Sequence, residues 1–467
     1  MSGLYHYPMV ENITVVAPDS VNNLTPYVLT EQQDWFEDEI KFVRTFLQPG
    51  MICLDIGANY GLYTLSMANR QARVWAFEPT PAVMNCLRQS VAANGFGTVQ
   101  LLQAGLSNRC GTARFALNAN PEMNSILADG QTCNVCEEIT LTTLDTCAAQ
   151  YNWKQIDFIK LDAEGEEVKI LQGGESILTT ASPLVMFEFK LDETINFELI
   201  EAFSKLGYSA YRLVPGAGVL IPFDCLGQQP DSYQLNLFAC KAQTAQILAA
   251  RDLLIASYPI KNPVQDSYDK NSALEYLRTF SYAQQFLEQW ALVFESDTDI
   301  ASQLYTRAFC LYARSQNSSE TQVRKCAFLL AAAQICTQFP ADKLTAARLL
   351  TFARICAEAG ERASAVRLLG RWINGASQNV PATFTEPFIP PLLRYADMTG
   401  GGSAGDWIFS AALEAFELLH AFSSYYTNAT SLPSLKKISA LGFGSEEMNR
   451  RLELINVRFS NTTNSHE

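Results

Sequence analysis

The residues of this chain best suited to do chemistry begin with Asp55-Ile-Gly57-Ala-Asn59-Tyr-Gly61, which follows an apolar run directly and opens a helical pattern. Glycines at 57 and 61 let a backbone approach a ligand closely at the carboxyl end of a first strand, where open α/β sheets bind cofactors. Glu78 closes the next β-rich run, placed to accept hydrogen bonds from the two hydroxyls of a ribose. That spacing alone fits either a dinucleotide or S-adenosyl-L-methionine. A pyrophosphate on a helix N-terminus calls for G-x-G-x-x-G, which is absent, and Asp55 would repel it. An acidic strand end suits a cofactor bearing an ammonium and a sulfonium, so S-adenosyl-L-methionine is the expected ligand. The competing reading is a tight glycine turn that binds nothing.

Seven β-rich runs are available to position these groups: Met51–Asp55, Arg73–Glu78, Thr98–Gln103, Ile156–Asp162, Pro183–Phe189, Tyr208–Val214 and Gln234–Cys240. Helical stretches fill the gaps at Gly61–Asn69, Pro81–Asn94, Gly165–Gln172 and Ile195–Leu206, three of them closed by glycine stops. Alternation of this kind predicts a doubly wound, mostly parallel sheet. Two period-2 segments, Gly111–Leu117 and Glu137–Leu144, flank the polar insert Asn118–Cys136 and read as a hairpin-like excursion near the sheet edge. After about Lys241 the strands stop, and helical spacing runs from Gln243 to a last stretch at Gly405–Tyr425. Within it, Ala353, the Ala359-Gly360 turn, Ala365 and Leu369 sit where a tetratricopeptide repeat places its packing residues. The expected division is residues 1–245, an α/β domain with a leading helix, and residues 246–467, an all-α domain.

A family resemblance becomes specific at several motifs in order. Asp55-Ile-Gly57-Ala-Asn59-Tyr-Gly61 is followed by Phe77-Glu78-Pro79, Leu106-Ser107-Asn108 and Thr143-Leu144-Asp145. Ile159-Lys160-Leu161-Asp162-Ala163-Glu164-Gly165-Glu166-Glu167 and Phe187-Glu188 complete the series. Over about residues 35–241 the chain resembles the FkbM family of methyltransferases. The resemblance implies a class I (Rossmann-like) seven-stranded methyltransferase fold that moves a methyl group from S-adenosyl-L-methionine to a hydroxyl, often on a sugar or polyketide-type product. It maps the cofactor residues onto Asp55, Gly57, Asn59, Gly61 and Glu78, and it points at Asp162-Ala163-Glu164-Gly165. The helical part lies outside it.

Methyl transfer is an in-line displacement, and a sugar hydroxyl needs a base to take its proton as the new bond forms. The chain has three histidines, His6, His420 and His466, two near the termini and one in the helical part. The base is therefore expected among carboxylates, with Asp162, Glu164 and Glu188 as catalytic candidates. Asp162 and Glu188 end adjacent strands in the expected sheet order, within reach of one hydroxyl or of a hard divalent cation such as Mg²⁺. Against this, Glu164 would serve as a helix cap and Glu188 would bond a loop. Lys160 alternates with Asp162 along its strand and either shares its site or packs the sheet. Asp145 reads as the N-cap of a helix beginning at Thr146. Cys133-Asn-Val-Cys136 has metal-ligand spacing, but one pair cannot close a four-ligand zinc site, so no metal ligands are assigned. Trp35-Phe36, on an expected leading helix with Glu37-Asp38-Glu39, either covers the cofactor or packs the core.

Composition narrows the class. The chain holds 34 Lys+Arg against 48 Asp+Glu, a net charge of −14, which argues against nucleic acid or an anionic membrane as partner. No apolar run is long enough to span a bilayer, and no basic n-region precedes Lys41, so a cytoplasmic protein is expected. Twelve cysteines without a framework read as reduced, mostly buried thiols. The acidic excess is concentrated in residues 1–245, whereas Lys343, Arg348, Arg354, Arg362, Arg367 and Arg371 form a basic stretch in the helical part. That stretch suggests docking between the halves, an acidic glycan acceptor, or merely solvated faces. The reading is an S-adenosyl-L-methionine-dependent O-methyltransferase for a hydroxyl of a sugar, glycan or glycosylated metabolite. Its helical part presents the acceptor or recruits a glycosyltransferase or other protein partner. The alternatives are a non-catalytic adenosylmethionine-binding scaffold and a methyltransferase acting on a protein or small aromatic acceptor.

Overall fold

The computed structural model describes all residues except 1–2, 119, 128–131, 134, 190–196, 225–229, 257–268, 297–298, 377–384, 397–403 and 464–467. Its main sheet is built from β1 (Ile52–Ile56), β2 (Arg73–Phe77), β3 (Val99–Leu102), β4 (Phe158–Leu161), β5 (Leu184–Glu188), β6 (Ser209–Val214), β7 (Val219–Pro222) and β8 (Asn236–Cys240). The order is β7-β6-β8-β5-β4-β1-β2-β3. The five strands from β3 to β5 run parallel, and β8, β6 and β7 join antiparallel. All seven expected strands are present in this class I arrangement. The eighth, β7, is a four-residue edge strand ending in Pro222, where the ring costs no ladder hydrogen bond.

Alternation along each strand divides the core. Cys53, Phe158, Met186 and Phe238 face one apolar layer with Phe42, Phe46, Leu65 and Leu248. Leu54, Ile159, Val185, Phe187 and Leu237 face the opposite layer with Ile170, Leu178, Leu199 and Phe203. By the same period of two, Asp55 follows Cys53, and Lys160 and Asp162 follow Phe158, onto the first face. The sheet order reverses between β1 and β4, so the crevice at their carboxyl ends receives these polar groups.

Two further pieces flank the sheet. A hairpin of Leu4–Met9 and Ile13–Pro18 precedes the helix Leu24–Gln32. The insert makes a separate four-stranded sheet from Gly105–Leu106, Cys136–Thr142, Gly111–Ala116 and Ser125–Ile126. Cys133 and Cys136 pair as a disulfide, against the expectation of reduced thiols, while the other described cysteines are free and mostly buried.

Beyond Cys240 every described regular element is helical. Ile300–Ser315 packs on Gln322–Gln338, and Ala346–Glu358 packs on Arg362–Ala376. The two pairs start at Ile300 and Ala346, farther apart than the ~34 residues of a tetratricopeptide unit. Gly360, at φ +80°, turns the second pair, and a Cβ there would meet Arg212 and Pro215. The turn is thus shaped by the β6–β7 hairpin: Gly216 N–H donates to the Glu358 carbonyl at 2.8 Å, and Arg212 Nη1 donates to the Ala359 carbonyl at 3.0 Å. Val214, Val219 and Ile221 enter the same apolar cluster as Leu277, Tyr312 and Leu350, so the helical part buries one edge of the sheet.

Four of the six residues of the basic stretch are engaged within the fold, while Lys343 and Arg367 stay exposed. Arg348 pairs with Glu386, Arg354 with Glu358, Arg362 donates to the Leu418 and Leu419 carbonyls, and Arg371 donates to the Ala341 carbonyl.

Candidate active site

One cavity of about 380 Å³ opens over the carboxyl ends of the parallel strands. Asp55, Gly57 and Asn59 from the β1 loop, Glu78 after β2, Asp162 and Glu164 after β4, and Glu188 at the end of β5 all line it. Gly61 does not stand on this wall. It caps the helix Leu62–Asn69 at φ +94°, and a Cβ there would lie 2.4 Å from Leu87 Cδ1, so its smallness serves helix packing. Gly57 is constrained by the protein too. At φ +76° its Cβ would fall 1.7 Å from the Asp162 carbonyl oxygen, and only glycine lets the β1 and β4 loops meet.

The cavity floor is a buried polar stripe. Asp55 and Lys160 are cross-strand partners, and Lys160 Nζ donates to Asp162 Oδ2 at 2.8 Å and to the Gly57 carbonyl at 3.3 Å. Burial favours a neutral Lys160, but the carboxylates of Asp162, Asp55 and Glu37 outweigh it and hold the amine cationic, with its pKa raised. Thr64 Oγ1 donates to Asp55 Oδ2 at 2.5 Å. Burial pushes the Asp55 carboxyl up, with Lys160 and Thr64 pulling the other way. Glu78 is fixed by two backbone amides, from Asn59 to Oε2 at 3.1 Å and from Thr80 to Oε1 at 2.8 Å, and burial raises its pKa. Each of its oxygens keeps accepting capacity for a ligand hydroxyl. Asp55 Oδ1 and Asn59 Oδ1 are buried without a hydrogen-bond partner, an arrangement that a ligand's donors would satisfy.

At the other end of the crevice, Asp162, Glu164 and Glu188 each bring one carboxylate oxygen within 4.8 Å of the other two. Glu164 holds an unusual φ of +44° and is not the helix cap. Glu167, the first residue of the helix Glu167–Gln172, ties down the preceding loop by accepting from the Ala163 and Gly165 amides, while Ser107 Oγ anchors Glu166, at the N-cap position, at 2.7 Å. Asp145 is structural, but it caps the helix Glu175–Ala181 through the Ser176 and Ile177 amides. Its own helix is capped by Thr143.

Sequence reasoning missed part of the wall. Trp35 and Phe36, for which covering the cofactor is one expectation, do line the cavity, though from just before the helix Asp38–Phe46 and not on it, and the adjoining Glu37 joins them there as an unexpected acid. Tyr63 OH donates to Glu37 Oε2 at 2.5 Å, and burial raises the Glu37 pKa. Glu122 comes from the insert, and Phe422, Tyr425 and Tyr426 come from the helical part. The last helix expected there stops at Leu419 instead of Tyr425, which frees these aromatics to reach the sheet. Phe and Tyr at helical spacing carried no sign of that destination.

Glu39, behind Glu37, carries a pH prediction. Burial, helped by the Glu37 and Asp38 carboxylates, pushes it up to about 8 from an ordinary 4.5. A carboxyl protonated in the folded chain contributes stability that is full below pH 4.5 and is lost as pH rises through about 8. Glu39→Gln is expected to lose less stability than the parent between pH 5 and pH 9, by roughly a few kcal/mol at ~1.4 kcal/mol per pKa unit. Urea unfolding at the two pH values measures it, and parallel losses would refute it.

Residues 55–210 match the methyltransferase FkbM domain. Among curated proteins, methyltransferase sdnD of Sordaria araneosa is 29% identical over 152 residues, covering 26% of this chain and 59% of that protein. Methyltransferase 1 of Beauveria bassiana is 28% identical over 161 residues, covering 30% of this chain and 64% of that protein. The matches thus span less than two thirds of either relative. A solved methyltransferase FkbM from Methylobacillus flagellatus is 16% identical, covering 44% of this chain and 48% of that chain, with a TM-score of 0.30. Among the described residues no helix is long and apolar enough to cross a membrane.

Proposed function

We propose, from the match of residues 55–210 to the methyltransferase FkbM domain, that the chain is an S-adenosyl-L-methionine-dependent O-methyltransferase acting on a hydroxyl of a sugar, glycan or glycosylated metabolite. One observation carries this reading. A single cavity has ribose- and ammonium-binding groups at the β1 and β2 ends and a carboxylate cluster at the neighbouring β4 and β5 ends.

The bound cofactor would supply an electrophilic methyl group on a sulfonium. Glu78 would accept from the ribose hydroxyls, and Asp55 and Asn59, with their unsatisfied oxygens, would accept from the ammonium end. Sheet order then directs the acceptor to β4 and β5, where Asp162, Glu164 and Glu188 orient its hydroxyl and one of them takes its proton. Lys160 fixes Asp162 in this arrangement through its 2.8 Å bond. No histidine stands on the wall among the described residues, which supports a carboxylate as base. The same three carboxylates have the oxygen donors and spacing that suit Mg²⁺. Activity abolished by a chelator and restored by Mg²⁺ would favour that form of the site.

Calorimetric titration with S-adenosyl-L-methionine tests the cofactor half. The parent is expected to bind, and Glu78→Ala and Asp55→Ala are each expected to weaken binding at least about tenfold, since each removes charged hydrogen-bond acceptors. No binding by the parent would remove the methyltransferase reading, and the adenosylmethionine-binding scaffold with it; binding without turnover would favour the scaffold.

A further inference from the structure

We infer that the helical part supplies the recognition surface for the acceptor, and that this acceptor is an uncharged ring-bearing polyol of the neutral glycoside class. The inference rests on the methyltransferase reading and names the substrate class of the same cavity.

The first support is an aromatic platform at the β4–β5 end. Phe36 stacks on Trp35 with ring centroids 4.3 Å apart, and Phe422 and Tyr426 meet Phe36 at 5.2 Å and 6.5 Å. All four line the cavity. Their place along it follows from their neighbours. Phe422 meets the ring of Tyr233, 6.2 Å between centroids, on the segment whose Leu235 lines the cavity and accepts at its carbonyl from the Phe189 amide, next to Glu188 at the end of β5. Apolar residues after β3, such as Leu106, line the opposite end, next to the ribose-binding Glu78. The aromatics therefore reach the β5 end of the carboxylate cluster.

Their setting is built and accessible. Tyr425 OH receives a hydrogen bond from Asn120 Nδ2 and donates one to the Asn22 carbonyl, both at 2.8 Å, which ties the segment to the insert and the N-terminal part. Arg362 covers the far side of Phe422, 4.0 Å from its ring centre. The mouth nevertheless leaves apolar surface to solvent, with Tyr426 52% and Met123 63% exposed. Flat aromatic faces beside hydrogen-bond acceptors suit a pyranose, which offers an apolar C–H face and an edge of hydroxyl donors.

Charge decides between neutral and acidic acceptors. Glu37, Glu122, Asp162, Glu164 and Glu188 all line this cavity, and Lys160, already bound to Asp162, is the single Lys or Arg on its described wall. A phosphate or uronate would enter against that field, whereas neutral hydroxyls find acceptors.

The test uses the full chain with S-adenosylhomocysteine present. Calorimetry would compare a panel of methyl glycosides of common hexoses and deoxyhexoses with glucuronate and glucose 6-phosphate. At least one neutral glycoside is expected to bind at least about tenfold tighter than either anion. Tyr426→Ala and Phe422→Leu are expected to weaken it about tenfold while S-adenosyl-L-methionine affinity stays within twofold. Tyr426 is exposed, so its variant keeps the test sound if Phe422→Leu misfolds. Preference for an anion, no binding by any neutral glycoside, or unchanged glycoside affinity in a folded Tyr426→Ala would overturn the inference while cofactor binding persists. Loss of cofactor binding in the parent would instead strike the methyltransferase reading beneath it.

Discussion

Asp162→Asn is expected to cut methyl transfer by roughly 10²–10⁴-fold, the usual contribution of a positioned general base, while leaving S-adenosyl-L-methionine affinity nearly unchanged. The asparagine has the same shape and keeps an oxygen for Lys160, which donates to Asp162 Oδ2 at 2.8 Å. The main chain of residue 162, against which Gly57 is packed, does not change. What disappears is the proton acceptor. Glu164→Gln and Glu188→Gln then divide the work within a cluster whose oxygens lie within 4.8 Å of one another. A base should show a fall in kcat, and a group that only orients the acceptor should show mainly a rise in KM. Asp162→Asn with full turnover would move the base to one of the glutamates. Loss of cofactor binding with turnover would mean that Asp162 holds the cofactor site together.

The strand-end groups were legible because a parallel sheet buried on both faces leaves few places for a polar side chain. Asp55, Glu78, Asp162 and Glu188 each stop or follow an apolar run, and β1, β2, β4 and β5 bring them to one crevice. Local patterns were less able to divide labour among neighbouring acids. Glu164 and Glu167 flank the same helix start, and it is Glu167 that binds the loop amides of Ala163 and Gly165 while neither caps the helix. Asp145 was recognised as a cap but assigned to its own helix, because a cap contributed across space leaves no spacing signal. The helix Leu24–Gln32 was not read at all. Thr25, Val28 and Thr30 weaken its propensity, and it is burial of Tyr27, Val28 and Leu29 that makes it helical. The aromatic wall was the least legible, since Phe422 and Tyr426 meet Phe36 only through the tertiary fold.

That tertiary fold is secured by a group far from the chemistry, and removing it should be the most destabilising single change. Glu31 is fully buried on the helix Leu24–Gln32 and pairs at 2.9 Å with Arg451, itself 5% exposed, on the helix Glu446–Thr463. The same carboxylate accepts Ser423 Oγ at 2.8 Å, Ser424 Oγ at 2.6 Å and the Ser424 amide at 3.1 Å. Glu31→Ala leaves a buried guanidinium without this partner, with only Glu447 still paired to it, and strands three donors. A cost of about 3–5 kcal/mol is expected, a large part of the ~5–15 kcal/mol that typically holds a domain folded. Replacing both partners, in Glu31→Met with Arg451→Met, should cost less than the two single changes added together, because no charge is then left buried alone. Urea denaturation measures both. A loss below about 1 kcal/mol in Glu31→Ala would mean that water reaches the pair and the lock is weak. The functional consequence follows from position: Ser423 and Ser424 sit between Phe422 and Tyr426, so loosening Glu31 should raise the acceptor KM before it affects cofactor affinity. Acceptor and cofactor titrations below the unfolding range then separate loss of the platform from loss of the fold.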